Sequence, residues 1–280
     1  MLLEWLEALL MPASREARRL GAVHELVAVR ARAKRQSRAW ADHRAKAREA
    51  VLRVVDGTPG RGLAVVLGSG WLLEVPLDAL AARFDRVLLV DLVIPRAVRA
   101  QARRLGNVDW RVWDVTGVYG PLSAHPKTVP AVPDPAPLPP ETLTADLVIS
   151  SNLLSQLPLS PRIWMNRHGI PEATQDAVSK ALIDAHLAGL GQCRGRDLGG
   201  IVCLLSDFER EERDSAVEGG GVRYDLLYGA RPKVDGTRWW WSLAPEGEEG
   251  TTLSVRHKVL CGVLEGEAGS LEHREAKPLA

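Results

Sequence analysis

The stretch LAVVLGSGWLLEVPLDALAARFDRVLLVD, residues 63–91, constrains this chain more than any other. An apolar run from Leu63 to Leu67 enters Gly68-Ser69-Gly70, and a second run, Val87 to Val90, stops at Asp91. Runs that are apolar without alternation read as strands buried on both faces, the pattern of a parallel sheet. Between them Pro76 to Arg83 reads as a helix, so the unit is strand–helix–strand with a right-handed crossover. Glycines let a backbone pass close to a ligand because no Cβ intervenes. A helix starting after the loop, with Glu74 on it, would offer free N–H groups to a polar ligand. A carboxylate closing the next strand can accept from both ribose hydroxyls. The separation of Gly70 and Asp91, 91 − 70 = 21 positions, is near the ~20 of a nucleoside-binding unit.

The same texture continues. Val108 to Val112 leads to Asp114, Leu147 to Ile149 leads to Ser150-Ser151-Asn152, and Ile201 to Leu205 is a fifth run. Helical stretches, Pro95 to Leu105 and Pro171 to Leu190, separate them. Strands alternating with helices predict an α/β fold. Trp239 to Leu243 and Leu253 to Leu264 read as an antiparallel hairpin across the turn-rich residues 245–250. Within it Trp239 and Trp241 share one face and Trp240 takes the other, either as core packing or as a stacking platform. The proline-rich segment from His125 to Pro140 reads as a surface insertion or a lid. Residues 1–56 read as helices, with Ser14 as an N-cap after the break at Pro12. The expected division is a helical cover over 1–56, an α/β domain over 57–265 and a polar tail over 266–280.

Several classes are disfavoured. The cysteines, Cys193, Cys203 and Cys261, are odd in number and form no C-x-x-C pair, which speaks against a disulfide framework or a zinc site. The histidines show no metal-type spacing. No apolar run approaches the ~20 residues of a membrane span, and Glu4 and Glu7 stand where a secretory signal carries its basic residues. The expected location is therefore the cytoplasm, with no membrane partner. The net charge is +1, so no global field draws in nucleic acid. The basic stretch from Arg30 to Arg48 could contact phosphates, or be a solvated face with its stems packed down.

The loop does not suit a nicotinamide dinucleotide. The third glycine of G-x-G-x-x-G falls at Leu73, whose bulk hinders the approach of a pyrophosphate. With Gly68-Ser69-Gly70, Asp91, Asp114 and the fourth-strand segment DLVISSNLLSQLP in this order, followed by a C-terminal hairpin, residues 62–264 resemble class I S-adenosylmethionine-dependent methyltransferases. The resemblance implies a Rossmann-like, mostly parallel seven-stranded sheet with a C-terminal antiparallel hairpin and N-terminal helices. It implies S-adenosyl-L-methionine as cofactor; the methyl acceptor is not legible in it and is either a small molecule, the favoured class, or a macromolecule. It would place Gly68, Ser69 and Gly70 along the methionine part, Asp91 on the ribose, Asp114 by the adenine, and Ser151 with Asn152 beside the methyl donor. His168, after the fourth-strand motif, is the candidate general base. The family often has an acidic residue before the loop and a third glycine within it. Here Val66 or Leu67 and Leu72 stand there, which keeps open a catalytically silent relative of the same shell.

Overall fold

The computed structural model of the chain describes residues 2–194, 200–217 and 221–265, so the expected polar tail lies outside the described residues. Its frame is one sheet. Strands β1 (Leu63–Leu67), β2 (Arg86–Asp91), β3 (Val108–Val112), β4 (Leu147–Ser151) and β5 (Ile201–Asp214) are mutually parallel in the order β3-β2-β1-β4-β5. Beyond β5 lie β8 (Leu253–Leu264) and then β7 (Val234–Ala244), with β8 antiparallel to both neighbours. These seven strands and the hairpin are the Rossmann-like arrangement expected from the sequence. An eighth strand, β6 (Gly221–Asp225), pairs antiparallel with the far half of β5.

Alternation along β1 explains the layers. Ala64 and Val66 point into one core with Trp40, Val51 and Val54 of α4 (Ala41–Gly57), Leu80 of α5 (Leu77–Arg83) and Val98 of α6 (Arg96–Leu105). Val65 and Leu67 point into the other, with Leu122 of α7 (Tyr119–Ala124), Met165 of α8 (Leu159–Arg167) and Leu182 of α9 (Glu172–Gln192). Each such side chain, fully buried, contributes about 1.5–3 kcal/mol. Trp239 and Trp241 belong to the first core, while Trp240 lies on the opposite side between Arg256 and Lys258.

A third, smaller core joins α1 (Leu2–Leu10), α2 (Arg15–Arg19) and α3 (Ala22–Arg35) to the segment after β2: Ala8, Met11, Ala17, Val23 and Val27 pack with Val93. Ser14 caps α2 by accepting from Ala17 N at 3.1 Å. The basic stretch from Arg30 to Arg48 is engaged inside the fold. Arg30 pairs with Glu7, Arg32 and Arg35 with Glu248, Lys46 with Asp42, and Arg48 donates to the carbonyls of Leu72 and Leu73.

Four local expectations change. The helix after the glycine loop starts only at Leu77, so Glu74 lies in a bend and the loop is not a helix N-terminus. Pro76 accounts for this, because a proline pushes the residue before it, Val75, out of the helical region. Residues Trp164 to His168, left without an element by the sequence pattern, form the end of α8 and its C-cap. Strand β5 continues nine residues past Leu205 because its charges are matched across the sheet. Glu211, 2% exposed, receives Arg213, Arg223 and Arg256, the last two from the strands paired with it. The proline-rich segment is docked rather than loose: Ala136 N donates to Ala185 O on α9, and Trp113 Nε1 to Pro137 O. Among the described residues no helix is long and apolar enough to cross a membrane.

Candidate functional site

The strand order reverses between β1 and β4, and in open α/β sheets ligands settle at the carboxyl ends beside that switch point. Four strand ends lie there in the order β3, β2, β1, β4. They carry Asp114, then Asp91, then Gly68-Ser69-Gly70, then Ser151-Asn152. Neighbouring strands are about 4.8 Å apart, so three spacings extend over roughly 14 Å. The seven residues picked from the sequence for cofactor contact thus form one continuous strip.

At the centre of the strip Gly70 N donates to Asp91 Oδ2 at 2.7 Å, and Val93 N lies 3.3 Å from Asp91 Oδ1. The carboxylate of β2 therefore holds the loop of β1 in shape. Burial pushes the Asp91 carboxyl above its ordinary range, while the backbone N–H groups of Gly70, Val93 and Leu92 pull it back. Each carboxylate oxygen has two lone pairs, so room remains for two donors from a diol. Gly68 and Ser69 donate their N–H groups to Val90 O, which pins the loop to β2 a second time.

Gly68 has φ 75° and Gly70 φ 45°. A Cβ on Gly68 would lie 2.7 Å from Ser151 O, whereas one on Gly70 would meet nothing nearer than 4.0 Å. Gly68 is thus fixed by close packing on β4, and Gly70 opens onto free space. Leu72, at the place where the family has its third glycine, also takes a left-handed backbone with φ 56°, as does Asn152 with φ 47°. Such conformations cost a residue with a side chain on the order of 1–3 kcal/mol, and they cluster at functional sites. Nothing in the sequence marked the backbone of either residue. Two polar atoms in the strip, Ser69 Oγ and Asn152 Oδ1, are buried without a hydrogen-bond partner.

Asp114 is placed differently from its neighbours. Its Oδ1 accepts from Thr116 N and Thr116 Oγ1, and its Oδ2 from Tyr119 N, so it shapes its own turn and starts α7. Burial raises the Tyr119 phenol far above its ordinary value, and the charges of Asp114, Asp91 and Glu25 add to that.

His168 is not joined to the strip by any hydrogen bond. Its Nδ1 contacts Trp164 O at 2.8 Å, and its ring lies against Trp164 with centroids 4.2 Å apart. The N-terminal helices touch the residue that follows the glycine loop: Trp71 Nε1 donates to Leu26 O at 2.8 Å, and Arg30 lies over the same indole. A cleft of about 240 Å³ lined by Val54, Gly57, Ile201, Gly236 and Gly262 lies at the other end of the sheet, by the first residue of β5. Among the described residues no three His, Cys, Asp or Glu side chains gather as metal ligands.

No protein-family model matches the chain, and no curated protein matches it in sequence. Solved structures with some likeness include the 1,6-didemethyltoxoflavin-N1-methyltransferase of Burkholderia thailandensis with bound 1,6-didemethyltoxoflavin and S-adenosylhomocysteine. It is 14% identical, covers 91% of this chain and 92% of its own, and gives a TM-score of 0.42. DhpI in complex with SAH is 17% identical, covering 86% and 96% with a TM-score of 0.33. The amino pentose methyltransferase CalS10 of Micromonospora echinaspora is 12% identical, covering 75% and 91% with a TM-score of 0.27. Likenesses of this size assign no activity to this chain.

Proposed function

We propose that the chain is an S-adenosylmethionine-dependent methyltransferase acting on a small molecule. The observation that carries the reading is the Gly70–Asp91 contact at 2.7 Å, together with the orphaned Ser69 Oγ and Asn152 Oδ1 on either side of the switch point. A buried polar atom without a partner costs about 1–3 kcal/mol, and a polar ligand along the strip would recover it. In this reading Asp91 accepts from the ribose hydroxyls, and Gly70 leaves room for the methionine chain. Ser69 Oγ and Asn152 Oδ1 meet its polar groups, and Ser151 borders the sulfonium. Asp114 acts chiefly by shaping the turn that the adenine would lie against. The cofactor supplies an electrophilic methyl group, so the protein's task is mainly to hold acceptor and donor in line, which is worth several kcal/mol without any dedicated acid.

The domain reading follows from the same placement. Helices α1 to α3 act as a cover over the strip, gripping Trp71 and the segment after Asp91. Helix α4 carries the fully buried Trp40 and Val51 into the core of the sheet domain. Deleting residues 1–35, which leaves α4 in place, is expected to weaken nucleoside binding and to shift Trp71 fluorescence toward that of a solvated indole.

The test of the main reading is calorimetry on the full chain with S-adenosylhomocysteine, S-adenosylmethionine and NAD. Saturable heat with the sulfur nucleosides and none with NAD is expected. NAD binding without either sulfur nucleoside would overturn the proposal.

A further inference from the structure

A second buried polar group stands at the same end of the sheet. It is formed where β5 and β8 run past β4. Asp207 of β5 is 7% exposed and His257 of β8 is 8% exposed. Asp207 Oδ2 meets His257 Nδ1, and Asp207 Oδ1 accepts from Ser155 Oγ in the segment leaving β4. Burial works to raise the Asp207 carboxyl, but the hydrogen bond from His257, with that from the Ser155 hydroxyl, outweighs it and holds the group below its ordinary value. An ionised Asp207 fixes the tautomer of the neutral imidazole: Nδ1 carries the proton and donates it to the carboxylate, and in that form Nε2 holds the lone pair.

That Nε2 is buried and meets no partner among the described residues. It is not alone. Trp241 presents its ring edge-on to His257, with centroids 6.0 Å apart, and stacks on His43 at 4.0 Å. Trp241 Nε1 and His43 Nε2 are also buried without a hydrogen bond, although Glu74 Oε1 lies 3.4 Å from the latter. His43 Nδ1 is accounted for, since it accepts from Trp239 Nε1 at 3.1 Å. His257 Nε2 and Trp241 Nε1 are thus left unmatched within one cluster, which is costly for buried polar atoms. A purely structural cluster would have been better filled with apolar side chains.

The place matters as much as the chemistry. Asn152 N donates to Leu205 O at 2.8 Å, and Asp207 is two residues further along β5. Ser155 is three residues beyond Asn152. The group therefore adjoins the Asn152 end of the strip, where the proposed function puts the methyl donor. The charged and titratable groups facing His257 are few. From β5 come Asp207 and Arg210, the latter opposite His257 in register and neutralised by Glu212 and Glu249. From β7 comes the indole of Trp241, and behind it lie His43 of α4, stacked on that indole, and Glu74, which contacts His43.

We infer that His257, oriented by Asp207 and Ser155, is the general base for methyl transfer, and that the acceptor is a small molecule bearing an O–H or N–H group. The inference rests on the methyltransferase reading. The acceptor lone pair attacks the methyl carbon, and the carbon–sulfur bond breaks with its electron pair moving to sulfur. The proton on the acceptor passes to His257 Nε2, and the imidazolium so formed is paired with the Asp207 carboxylate. A thioether acceptor has no proton to lose and would not need this arrangement. Ser155 and Asp207 are positioning residues, since they act through the histidine.

Histidine ¹⁵N resonances of the full chain, with and without saturating S-adenosylhomocysteine, test this without knowing the acceptor. At pH 7 to 8 the His257 Nε2 resonance is expected at the position of an unprotonated nitrogen. Phenol and benzylamine, as O–H and N–H probes, are expected to move it. Asp207→Asn should transfer the proton to Nε2. Ser155→Ala, a milder variant that removes only the outer link, should weaken the tautomer preference. An Nε2 that carries a proton in the unmodified protein, or one that neither probe moves, overturns the base. Calorimetry with S-adenosylhomocysteine on the same sample separates the two levels. If the nucleoside binds and Nε2 is protonated or sealed, the base alone falls. If no nucleoside binds, the methyltransferase reading falls and takes the methyl acceptor with it.

Discussion

Asp91 has two roles, and two substitutions separate them. Its carboxylate holds Gly70 N at 2.7 Å and reaches Val93 N at 3.3 Å. Asp91→Ala leaves the Gly70 N–H without an acceptor, which costs about 1–3 kcal/mol. It also removes the acceptor proposed for the ribose. Hydrogen bonds to a charged group contribute about 1.5–3 kcal/mol, so nucleoside affinity should fall by roughly 10- to 150-fold. Asp91→Asn acts differently. The amide oxygen can still accept from Gly70, but the amide nitrogen cannot accept from a second hydroxyl. The pH dependence of stability supports the separation. Burial raises the folded-state pKa of Asp91, so in the window from its ordinary value up to that raised value the folded state binds more protons than the unfolded one. Stability contributed by this group is then present at low pH and is lost as pH rises through that window. Asn carries no such charge, so Asp91→Asn should fold about as stably as the unmodified protein near neutral pH, while nucleoside affinity drops about tenfold or more. Urea unfolding and calorimetry with S-adenosylhomocysteine measure the two effects. An Asn variant that binds like the unmodified protein would refute the ribose role and leave Asp91 as a brace for the loop.

The remaining predictions concern stability. Replacing residues 129–138 by a glycine–serine linker of equal length removes the packing of Leu138 on Gly189 and frees the backbone from the conformation that presents Ala136 N to Ala185 O and Pro137 O to Trp113 Nε1. Urea unfolding should show a loss of about 2–4 kcal/mol, and an unchanged midpoint would mean that the segment is a loose insertion. His186, fully buried against Ser150 Oγ at 3.0 Å, has its pKa lowered by burial from 6.5 to about 4. The unfolded chain therefore takes up a proton in that window and the folded one does not. Stability should fall as pH drops from 6.5 toward 4, by up to ~1.4 kcal/mol per pH unit. His186→Gln should remove that slope, and its persistence would put the titrating group elsewhere.

The sheet was legible because β1, β2 and β4 are nearly continuous apolar runs, and the more polar β3 and β8 follow from the turns that bound them. Val108 to Val112 and Leu253 to Leu264 keep the boundaries read from sequence, and Leu77–Arg83 differs by one residue at its start. What escaped were elements held by relations between distant residues. The far half of β5 reads as a charged loop until Arg223 and Arg256 are brought to Glu211 from neighbouring strands. Helix α7 begins where Asp114 captures the N–H of Tyr119, a turn that hydrophobic periodicity does not register. The strip was legible from glycine spacing and strand-end carboxylates. The left-handed backbones of Leu72 and Asn152 were not, since both residues ordinarily have negative φ. His257 went unmarked for a related reason: a histidine becomes informative only when the carboxylate fifty positions away is found beside it.

The distribution of unmet polar atoms bears on all of these readings. A folded protein satisfies the great majority of its buried polar groups, so exceptions at one place point to something the chain alone does not supply. Five of the nine such atoms among the described residues lie here: Ser69 Oγ and Asn152 Oδ1 border the switch point, and His257 Nε2, Trp241 Nε1 and His43 Nε2 form the adjoining cluster, the other four being Arg32 Nε, Trp164 Nε1, His186 Nδ1 and Glu209 Oε1. The left-handed Leu72 and Asn152 fall in the same region, and Asp91, whose carboxyl is pushed up by burial, ends β2, on the other side of β1 from β4. Each feature lowers stability and none is needed to hold the strands together. Apolar replacements of similar size would relieve most of them, as the fully apolar interiors of β1 and β2 illustrate. Such costs persist where binding recovers them, and here they converge on the carboxyl ends of β1, β4 and β5, where a nucleoside on the strip and a protic acceptor at His257 would meet.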